Sequence, residues 1–359
     1  MKTKRIAVIP GDGIGVEVVH EARRVLGALD VPVACEEFDF GAERWLRERV
    51  GLPPGTIEKL RDGYDAILFG AVGDARIPDG AHAREILLGL RFQLDLYINL
   101  RPVHLLHERL TPLKGRTTAD IDMMIFRENT EGLYAGVGGN FKRDTPDEVA
   151  INEDLNSRKG VDRILRAAFE WARHRSRRKR LCMTDKANAL EQAHGLWRRA
   201  FAAMQKDYPD VQASALYIDV CAMEMVRAPD RFDVIVTSNM FGDILTDLGA
   251  AIAGGLGLAA SGNIHPGQCS LFEPVHGSAP DIAGKGVANP LAAIGCAAQL
   301  LEWLSARPSA ANPVALKAAA GRISAAVTQV QASGPHTPDM GGSATTAEVT
   351  RAVLGVLES

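Results

Sequence analysis

The stretch Ile6-Ala-Val-Ile-Pro-Gly-Asp-Gly-Ile-Gly15 decides the fold class of this chain. Its first four residues form a short apolar run, typical of a buried strand, and a glycine-rich loop follows at once. Residues 16–29 then repeat apolar side chains at helical spacing. Strand, loop and helix in this order indicate the beginning of an α/β fold.

The same alternation of strand and helix returns along the chain. Apolar runs lie at residues 65–69, 121–126, 180–183 and 232–237, and each is followed by glycine or polar residues and usually by a helix-like segment. Such repeated units predict a largely parallel sheet that is covered by helices.

Two regions depart from this alternation. Residues 131–155 are rich in glycine, asparagine and charge and poor in apolar positions, which indicates an arm or a long loop. From Pro290 the sequence is rich in alanine and leucine and predicts helix to about Ser333, followed by a loop over residues 334–342 and a last helix.

The composition bounds the kind of protein. A chain of 359 residues with 46% hydrophobic content exceeds one ordinary domain, so we expect two cooperating domains. The 41 Lys and Arg against 44 Asp and Glu give a net charge of −3. This balance leaves no overall positive field to attract nucleic acid or an anionic membrane.

Cysteine usage and hydropathy indicate the compartment. The five cysteines are scattered without a Cys-x-x-Cys pair, which argues against a zinc knuckle and a disulfide framework. No secretory apolar segment follows the basic N-terminal residues, and no run reaches the roughly 20 apolar residues that span a bilayer. We therefore expect a cytoplasmic protein without a membrane or nucleic-acid partner.

Three arginines stand among apolar residues, which is unusual for this residue type. They are Arg91 in Leu-Leu-Gly-Leu-Arg, Arg101 in Asn-Leu-Arg-Pro, and Arg127 before Glu-Asn-Thr-Glu-Gly. An arginine fork binds a carboxylate in a bidentate manner, so three that converge would suit a substrate with two carboxylates. Each could instead pair with a structural Asp or Glu, and the residues alone leave both readings open.

Carboxylates and a lysine supply a second set of candidates. Asp243 and Asp247 are four residues apart, so they share one face of a predicted helix and repel each other unless a cation intervenes. A hard divalent ion would do so, with Asp219 as a third oxygen ligand. The alternative is one helix cap and one solvated Asp. Lys186 follows a predicted strand, where ligands of open α/β sheets bind, although most lysines are only solvated.

Two glycine-rich loops and one basic run complete the candidates. The loop at residues 11–15 is not the standard dinucleotide fingerprint, because Val16 stands where a third glycine is required, so a nucleotide loop and a structural turn both stay open. The polar loop over residues 272–290 is typical of a ligand loop. Residues 173–180 hold six Lys or Arg; RNA binding is possible, but a solvated helix end is favoured because no aromatic residue interleaves.

Together these segments resemble the β-decarboxylating dehydrogenase family, which includes isopropylmalate, isocitrate, homoisocitrate, tartrate and D-malate dehydrogenases. The similarity runs from residue 6 to about residue 352. Its motifs stand in the family's order: Pro10-Gly-Asp-Gly-Ile-Gly15, Asn99-Leu-Arg-Pro102, Arg127-Glu-Asn-Thr-Glu-Gly132, Asp185-Lys-Ala-Asn188, and residues 239–247 and 276–284.

The resemblance implies a two-domain α/β fold of the isopropylmalate dehydrogenase type, which is not a standard Rossmann fold. A discontinuous cofactor-binding domain would comprise residues 1–99 and 252–359. Residues 100–251 would form the domain for substrate, metal and dimerisation, with an arm near residues 135–158. The family's active sites are shared across a homodimer, so the resemblance also implies a homodimer here.

The resemblance also implies a role for each candidate in an oxidative decarboxylation. Hydride would leave C2 of a hydroxy dicarboxylate, CO₂ would be lost, and the enolate would be protonated at C3. The acid–base pair would be Tyr134 and Lys186 of the partner subunit. The substrate residues would be Arg91, Arg101, Arg127, Leu87 and Leu88. The ligands of Mg²⁺ or Mn²⁺ would be Asp243, Asp247 and Asp219 of the partner subunit, and K⁺ is a further candidate cation.

The implied dinucleotide is NAD. Asp281 stands where NAD-using members present a carboxylate to the adenine ribose, which would accept the 2′-hydroxyl and repel a 2′-phosphate. NADP-using relatives carry a Lys-Tyr pair there, whereas this chain has Asp281-Ile282. The other residues expected to line the cofactor site are Ile14, Glu273, His276, Gly277, Ser278, Ala279 and Asn289.

The implied substrate class is a (2R)-malate, with or without a substituent at C3. Isocitrate members carry Ser and Asn where this chain has Glu85 and Leu87, and homoisocitrate members carry Arg in place of Leu88, so a tricarboxylate is disfavoured. Leu87 and Leu88 match both isopropylmalate and tartrate/D-malate enzymes. Arg84 and Ala189 depart from the isopropylmalate pattern. Activity on 3-isopropylmalate and activity on tartrate or D-malate therefore both stay open.

Overall fold

A computed structural model describes residues 3–307 and 312–359. The chain forms two compact units. Unit 1 comprises Met1–Leu96, Leu105–Thr118 and Ala250–Ser359, and unit 2 comprises Tyr97–His104 and Ala119–Gly249.

Twelve strands lie in the described residues, seven more than the five apolar runs predict. They are β1 (Lys4–Gly11), β2 (Val33–Glu37), β3 (Ala66–Ala71), β4 (Ile98–His104), β5 (Asp122–Glu128), β6 (Gly138–Phe141), β7 (Val149–Asn152), β8 (Arg180–Asp185), β9 (Gln212–Tyr217), β10 (Val234–Thr237), β11 (Ala260–Ile264) and β12 (Ser270–Pro274). The five predicted runs are confirmed as β1, β3, β5, β8 and β10.

The helices of the described residues follow most of the strands. They are α1 (Ile14–Gly27), α2 (Ala42–Glu48), α3 (Thr56–Gly63), α4 (Ala81–Ala83), α5 (Gly89–Gln93), α6 (Arg158–His174), α7 (Glu191–Met204), α8 (Ile218–Arg227), α9 (Asn239–Ala253), α10 (Leu291–Ser305), α11 (Pro313–Ser333) and α12 (Thr346–Glu358). No described helix is long and apolar enough to cross a membrane.

The sheet of unit 1 is covered on both faces. Its strand order is β2-β1-β3-β12-β11, and all neighbours are parallel except β11 and β12. Ile6 and Val8 of β1 join one apolar cluster, whereas Ala7 and Ile9 join another, because successive side chains of a strand point to opposite faces. A strand that is buried on both faces explains why residues 6–9 are continuously apolar.

The C-terminal helices cover one of these faces. Leu301 of α10, Ile323 of α11 and Val353 of α12 pack with α1 in the first apolar cluster. The predicted helical region from Pro290 to about Ser333 comprises two helices, α10 and α11, and the Asn312 side chain accepts a hydrogen bond from the Ala315 N–H at the start of α11. Residues 308–311 of the predicted helix lie outside the described residues.

The sheet of unit 2 has the order β4-β5-β10-β8-β9. The pairs β5–β10, β10–β8 and β8–β9 are parallel, and β4–β5 is antiparallel. These two five-strand arrays are therefore largely parallel, as the sequence predicts, and each contains one antiparallel pair. The predicted arm is a hairpin of β6 and β7 whose residues are exposed.

Residues 105–118 form part of unit 1, which differs from the domain boundaries that the resemblance implies. Arg109 in this segment donates hydrogen bonds to the backbone carbonyl of Gln331 and to the ring of His336. These contacts hold the segment against the C-terminal residues of the chain. The division into a cofactor domain and a substrate domain stays a prediction.

Candidate active site

Two buried arginines of unit 2 lie on adjacent antiparallel strands. Arg101 of β4 is 6% exposed and Arg127 of β5 is 1% exposed. Asn99 lies directly opposite Arg127 in the register and two residues before Arg101, so all three side chains share one face of the sheet. The fold itself therefore brings Arg101 and Arg127 together.

Helix α9 presents oxygen atoms to these arginines. Arg127 donates to Asn239 Oδ1 through Nε at 3.0 Å and through a terminal nitrogen at 2.8 Å, and it also forms an ion pair with Asp243. Arg101 donates to Thr246 Oγ1 at 2.7 Å and lies 3.7 Å from a carboxylate oxygen of Asp243. The helix therefore supplies the negative charge that the buried guanidinium groups require.

Asp247 lies one helical turn beyond Asp243 and 3.7 Å from Arg101. Burial raises the pKa of Asp247; the charge of Arg101 opposes this shift and the charge of Asp243 adds to it. The predicted shared face is confirmed, since both carboxylates reach Arg101. Asp243 and Asp247 are therefore two neighbouring oxygen donors, and a hard divalent cation would offset their negative charge.

Tyr134 joins the same cluster from a short 3₁₀ turn, Leu133–Ala135, which follows β5. Its hydroxyl donates a hydrogen bond to Asp243 Oδ2 at 2.8 Å, and its ring lies 5.2 Å from the Arg127 guanidinium carbon. The phenol hydroxyl is therefore in contact with the groups that would hold a substrate. Such a group can act as a general acid.

Gly242 makes the close approach of α9 to β5 possible. A Cβ atom at this position would lie 2.5 Å from Cβ and Cγ of Arg127, well inside van der Waals contact. The close packing of α9 on Arg127 therefore requires glycine at this position.

Lys186 and Asp219 form a second cluster in unit 2. Lys186 Nζ donates to Asp219 Oδ1 at 2.6 Å, and this hydrogen bond lowers the pKa of Asp219. The backbone N–H of Lys186 donates to His194 Nδ1 at 2.8 Å, which fixes the backbone at the end of β8. The Asp219 side chain is 61% exposed, so its carboxylate faces solvent in the single chain.

A single chain does not assemble the predicted metal triad. Within residues 3–307 and 312–359, no group of three or more His, Cys, Asp or Glu residues could hold a metal ion. The family resemblance implies that the third ligand is Asp219 of the partner subunit. The triad therefore stays a prediction about the assembled protein.

Arg91 lies in unit 1 and has a carboxylate partner of its own. It donates to Glu273 Oε1 at 2.7 Å, and Asn263 Nδ2 donates to the same oxygen at 2.8 Å. All of these groups are buried. The alternative that Arg91 pairs with an acidic residue is therefore realised, with a residue that the resemblance places at the cofactor site.

The glycine-rich loop after β1 contacts the predicted cofactor loop within unit 1. The backbone N–H of Ile14 donates to the carbonyl of Ser278 at 2.9 Å. Gly13 has a positive φ of 56°, and a Cβ atom there would lie 2.1 Å from the same carbonyl oxygen. The two loops therefore meet at the carboxyl end of β1, where ligands of open α/β sheets bind.

His276 offers an unpaired acceptor in this loop. Its Nδ1 donates to the carbonyl of Gly277 at 3.0 Å, and burial lowers the pKa of His276, so the ring is neutral at pH 7. Nε2 is then an acceptor; it is buried and has no partner among the residues that the structure describes. An orphaned acceptor of this kind fits a hydroxyl or amide donor of a bound ligand.

The other predicted cofactor residues also lie in unit 1. Asn289 Nδ2 donates to Asp339 at 3.0 Å, and its Oδ1 accepts from the backbone of Leu291 at the start of α10. Asp281 is exposed, as a carboxylate that meets a ribose hydroxyl requires, and Ile282 is half-buried. Ala279 adopts a positive φ of 38°, a conformation that L residues rarely adopt.

The basic run at residues 173–180 is tied to nearby carboxylates. Arg173 and Lys179 pair with Asp210, and Arg178 and Arg180 pair with Asp233. Four of its six basic side chains are therefore neutralised locally. This arrangement agrees with a solvated helix end and gives no support to an RNA-binding surface.

Three polar residues of the site were assigned no role from the sequence, although they stand in the quoted motifs. Asn99 and Thr246 hold Arg101, and Asn239 holds Arg127. The spacing of Asn99 and Arg101 along β4 could have indicated the role of Asn99, because residues two apart on a strand share a face. Thr246 and Asn239 reveal their role only when α9 lies against the strands.

A family model and several curated relatives match this chain over most of its length. Residues 5–353 match the family model described as isocitrate/isopropylmalate dehydrogenase. The chain is 51% identical over 310 residues to a 3-isopropylmalate dehydrogenase of Frankia casuarinae, covering 86% of this chain and 90% of that protein. It is 50% identical over 312 residues to a 3-isopropylmalate dehydrogenase of Streptomyces griseus, covering 86% and 89%.

Solved structures agree with these relatives. An isocitrate dehydrogenase from Methylococcus capsulatus superposes with a TM-score of 0.88 at 37% identity, covering 99% of this chain and all of that one. A β-decarboxylating dehydrogenase from Thermococcus kodakarensis gives a TM-score of 0.78 at 37% identity, covering 99% and 96%. The predicted α/β fold and the family resemblance are confirmed.

The Gly242 packing makes a direct prediction. Gly242→Ala places a methyl group into the Arg127 side chain, and we expect kcat/KM of the dehydrogenase reaction to fall by about 100-fold because the guanidinium is displaced. Gly321→Ala is the matched control: Gly321 is also helical, but no atom lies within 4 Å of an added Cβ. The control should keep full activity and gain up to about 1 kcal/mol of stability. Wild-type kinetics in Gly242→Ala would show that Arg127 is not held as described.

Proposed function

The chain belongs to the isocitrate/isopropylmalate dehydrogenase family, and from that premise we propose that it oxidatively decarboxylates 3-isopropylmalate to a 2-oxo acid and CO₂ with NAD⁺ and Mg²⁺ or Mn²⁺. It is a β-decarboxylating dehydrogenase. The finer proposal is carried by the cluster of unit 2, where two buried arginines, a tyrosine hydroxyl and two carboxylates meet.

The donor set supports a divalent cation. Asp243 and Asp247 offer carboxylate oxygens one helical turn apart, and Asp219 of the partner subunit would complete the ligand set. Oxygen donors of this kind suit Mg²⁺ or Mn²⁺ better than a soft metal. The bound cation would polarise the oxygen at C2 and stabilise the negative charge that develops on decarboxylation.

The loop around Ser278 supports a dinucleotide. The orphaned Nε2 acceptor of His276 and the exposed carboxylate of Asp281 both fit the hydroxyl donors of NAD. NAD⁺ supplies the hydride acceptor. A 2′-phosphate would meet the Asp281 charge, so we propose NAD and not NADP as the cofactor.

Four side chains would bind the substrate and transfer its protons. Arg101 and Arg127 would bind carboxylates of the malate, since each guanidinium already engages a carboxylate of α9. Lys186 Nζ of the partner subunit would take the proton of the C2 hydroxyl. The Tyr134 hydroxyl, held at 2.8 Å from Asp243, would deliver a proton to C3 after CO₂ leaves.

The substrate choice rests on residues of unit 1 and on the relatives. Glu85 Oε1 accepts the backbone N–H groups of Gly51 and Leu52 at 2.9 and 3.1 Å, so it holds a loop and presents no donor for a third carboxylate. Leu87 packs beside an apolar cluster, and Leu88 is half-buried, which supports an apolar wall for an isopropyl group. The curated relatives near 50% identity carry the name 3-isopropylmalate dehydrogenase.

A homodimer with shared sites is part of the proposal. Lys186 and Asp219 form one cluster in the chain, and Tyr134, Asp243 and Asp247 belong to another. Exposed apolar residues on the arm and on α8 and α9 would be covered by a second copy. They are Val137, Phe141, Val149, Ile151, Met223, Val226 and Ile244.

The substrate is tested by NADH absorbance in the presence of Mn²⁺ and K⁺. We expect kcat/KM to be highest with 3-isopropylmalate, above D-malate, the tartrates and isocitrate, because Leu87 and Leu88 gain contact only with an apolar substituent. NAD⁺ should be preferred over NADP⁺, and EDTA should abolish turnover. Preference for D-malate or tartrate would replace the proposed substrate and make Arg84 the next residue to mutate. No NADH from any substrate would overturn the proposed function.

The shared site is tested by mixing inactive variants. Lys186→Ala and Asp243→Ala protomers should regain about half of the wild-type activity per dimer, because one of the two sites then keeps both groups in a twofold dimer. The matched control mixes Lys186→Ala with Asp219→Ala. These lesions fall in the same cluster, so both sites stay incomplete and no activity should return. Equal results from the two mixtures, with heterodimers verified by mass, would contradict sharing.

A further inference from the structure

Asp12 connects three loops at the carboxyl ends of neighbouring parallel strands. It lies after β1 and is 7% exposed. Its Oδ1 accepts the backbone N–H of Ala42 at 2.6 Å, in the segment that follows β2. Its Oδ2 accepts the backbone N–H of Gly73 at 2.9 Å, in the segment that follows β3. A carboxylate with these bonds fixes the relative positions of the loops around it.

His82 makes a further contact with the same carboxylate. Its Nε2 lies 2.9 Å from Asp12 Oδ2, and the His82 side chain is fully buried. Because a carboxylate oxygen accepts, Nε2 carries the proton. Nδ1 is buried and has no partner among the residues that the structure describes, so Asp12 is what holds the ring in place.

His82 lies in the first turn of the helical segment that carries the predicted substrate residues. This segment runs through α4, a π-helical turn at Arg84–Leu88 and α5, and it includes Leu87, Leu88 and Arg91. Single π turns are rare and occur mostly at functional sites. Glu85 anchors the segment at a different place, through the backbone of Gly51 and Leu52.

The residues that follow Asp12 contact the predicted cofactor loop. Gly13 and Ile14 follow Asp12 directly and contact the carbonyl of Ser278. Gly73, whose N–H Asp12 accepts, lies beside the Ser278 hydroxyl, since a Cβ atom there would be 2.9 Å from it. Asp12 is therefore connected to the predicted cofactor loop through the next residue, Gly13, and to the helical segment through its hydrogen bond with His82. All of these residues belong to unit 1.

We propose that His82 is a positioning residue that couples cofactor binding to substrate binding through its hydrogen bond to Asp12. The inference rests on the proposed function, because it needs a dinucleotide at Ser278 and a malate near Leu87 and Leu88. Cofactor contacts at the Ser278 loop act on Gly13 and Ile14 and so on Asp12, and Asp12 passes their effect to the helical segment through its hydrogen bond to His82. The cofactor then raises the affinity for the substrate, and by reciprocity the substrate raises the affinity for the cofactor by the same factor.

The coupling is measured by titrating NADH fluorescence with and without saturating 3-isopropylmalate and Mn²⁺, a combination that cannot turn over. We expect the substrate to tighten NADH binding to the wild-type protein by about ten-fold. His82→Leu removes the donor, and the ratio of the two dissociation constants should fall to no more than about two-fold. His82→Gln, which can place an amide N–H near the position of Nε2, should restore most of the coupling.

Glu85→Ala is the matched control, because it removes the other anchor of the same segment and leaves the Asp12–His82 bond intact. It should lower the melting temperature and keep the coupling. Should His82→Leu fail to fold, His82→Phe takes its place, since the ring fills the same space without a donor. Equal loss of coupling in the Glu85 and His82 variants would reduce His82 to a structural role and overturn the inference.

Failure of the inference is distinct from failure of the proposed function. The wild-type protein could bind NADH and turn over 3-isopropylmalate without any change in NADH affinity when the substrate is added. This result would overturn the inference alone. A wild-type protein that binds no NADH under any condition would overturn the proposed function, and the inference with it.

Discussion

The burial of two guanidinium groups in unit 2 is the constraint on which the candidate site depends. Arg101 and Arg127 are almost fully removed from water, and an uncompensated charge in that position would cost several kcal/mol. Asn99, Asn239 and Thr246 satisfy their N–H groups, and Asp243 and Asp247 supply the opposite charge. Helix α9 must lie close to β5 for this to happen, and Gly242 permits that approach.

The same constraint explains how the site would bind its ligands. In the single chain the carboxylates of α9 are engaged by the arginines. The proposed substrate brings carboxylates for the arginines, and the proposed cation takes the carboxylates of α9, so the charge of each group stays compensated. Burial and the Asp243 charge already raise the pKa of Asp247, which makes a cation there more favourable.

The sequence predicts the parts of this arrangement that depend on local pattern. The apolar runs that became β1, β3, β5, β8 and β10 are continuous because helices cover both faces of a parallel sheet. The spacing of Asp243 and Asp247 predicts a shared face, since residues four apart are neighbours on a helix. The family resemblance then assigned roles to these residues that spacing alone left open.

The sequence could not predict the features that depend on distant partners. The antiparallel pair β11–β12 follows from a connection of residues 265–269, which is too short for a parallel crossover, but only once both segments are known to be strands. The pairing of Arg91 with Glu273 joins residues 182 positions apart. His82 offers no sequence signal, because a single histidine in a helical segment reveals its partner only when β1 and α4 are placed together in space.

The most direct test of the charge constraint is Mn²⁺ binding followed by electron paramagnetic resonance, in which free Mn²⁺ gives the signal and bound Mn²⁺ does not. With 3-isopropylmalate present, we expect the wild-type protein and Tyr134→Phe both to remove Mn²⁺ from solution, whereas Asp243→Asn and Asp247→Asn should not. Tyr134→Phe keeps both carboxylates and loses only the hydroxyl that contacts Asp243. Undiminished Mn²⁺ binding by the two aspartate variants would contradict the assignment of α9 as the metal-binding helix.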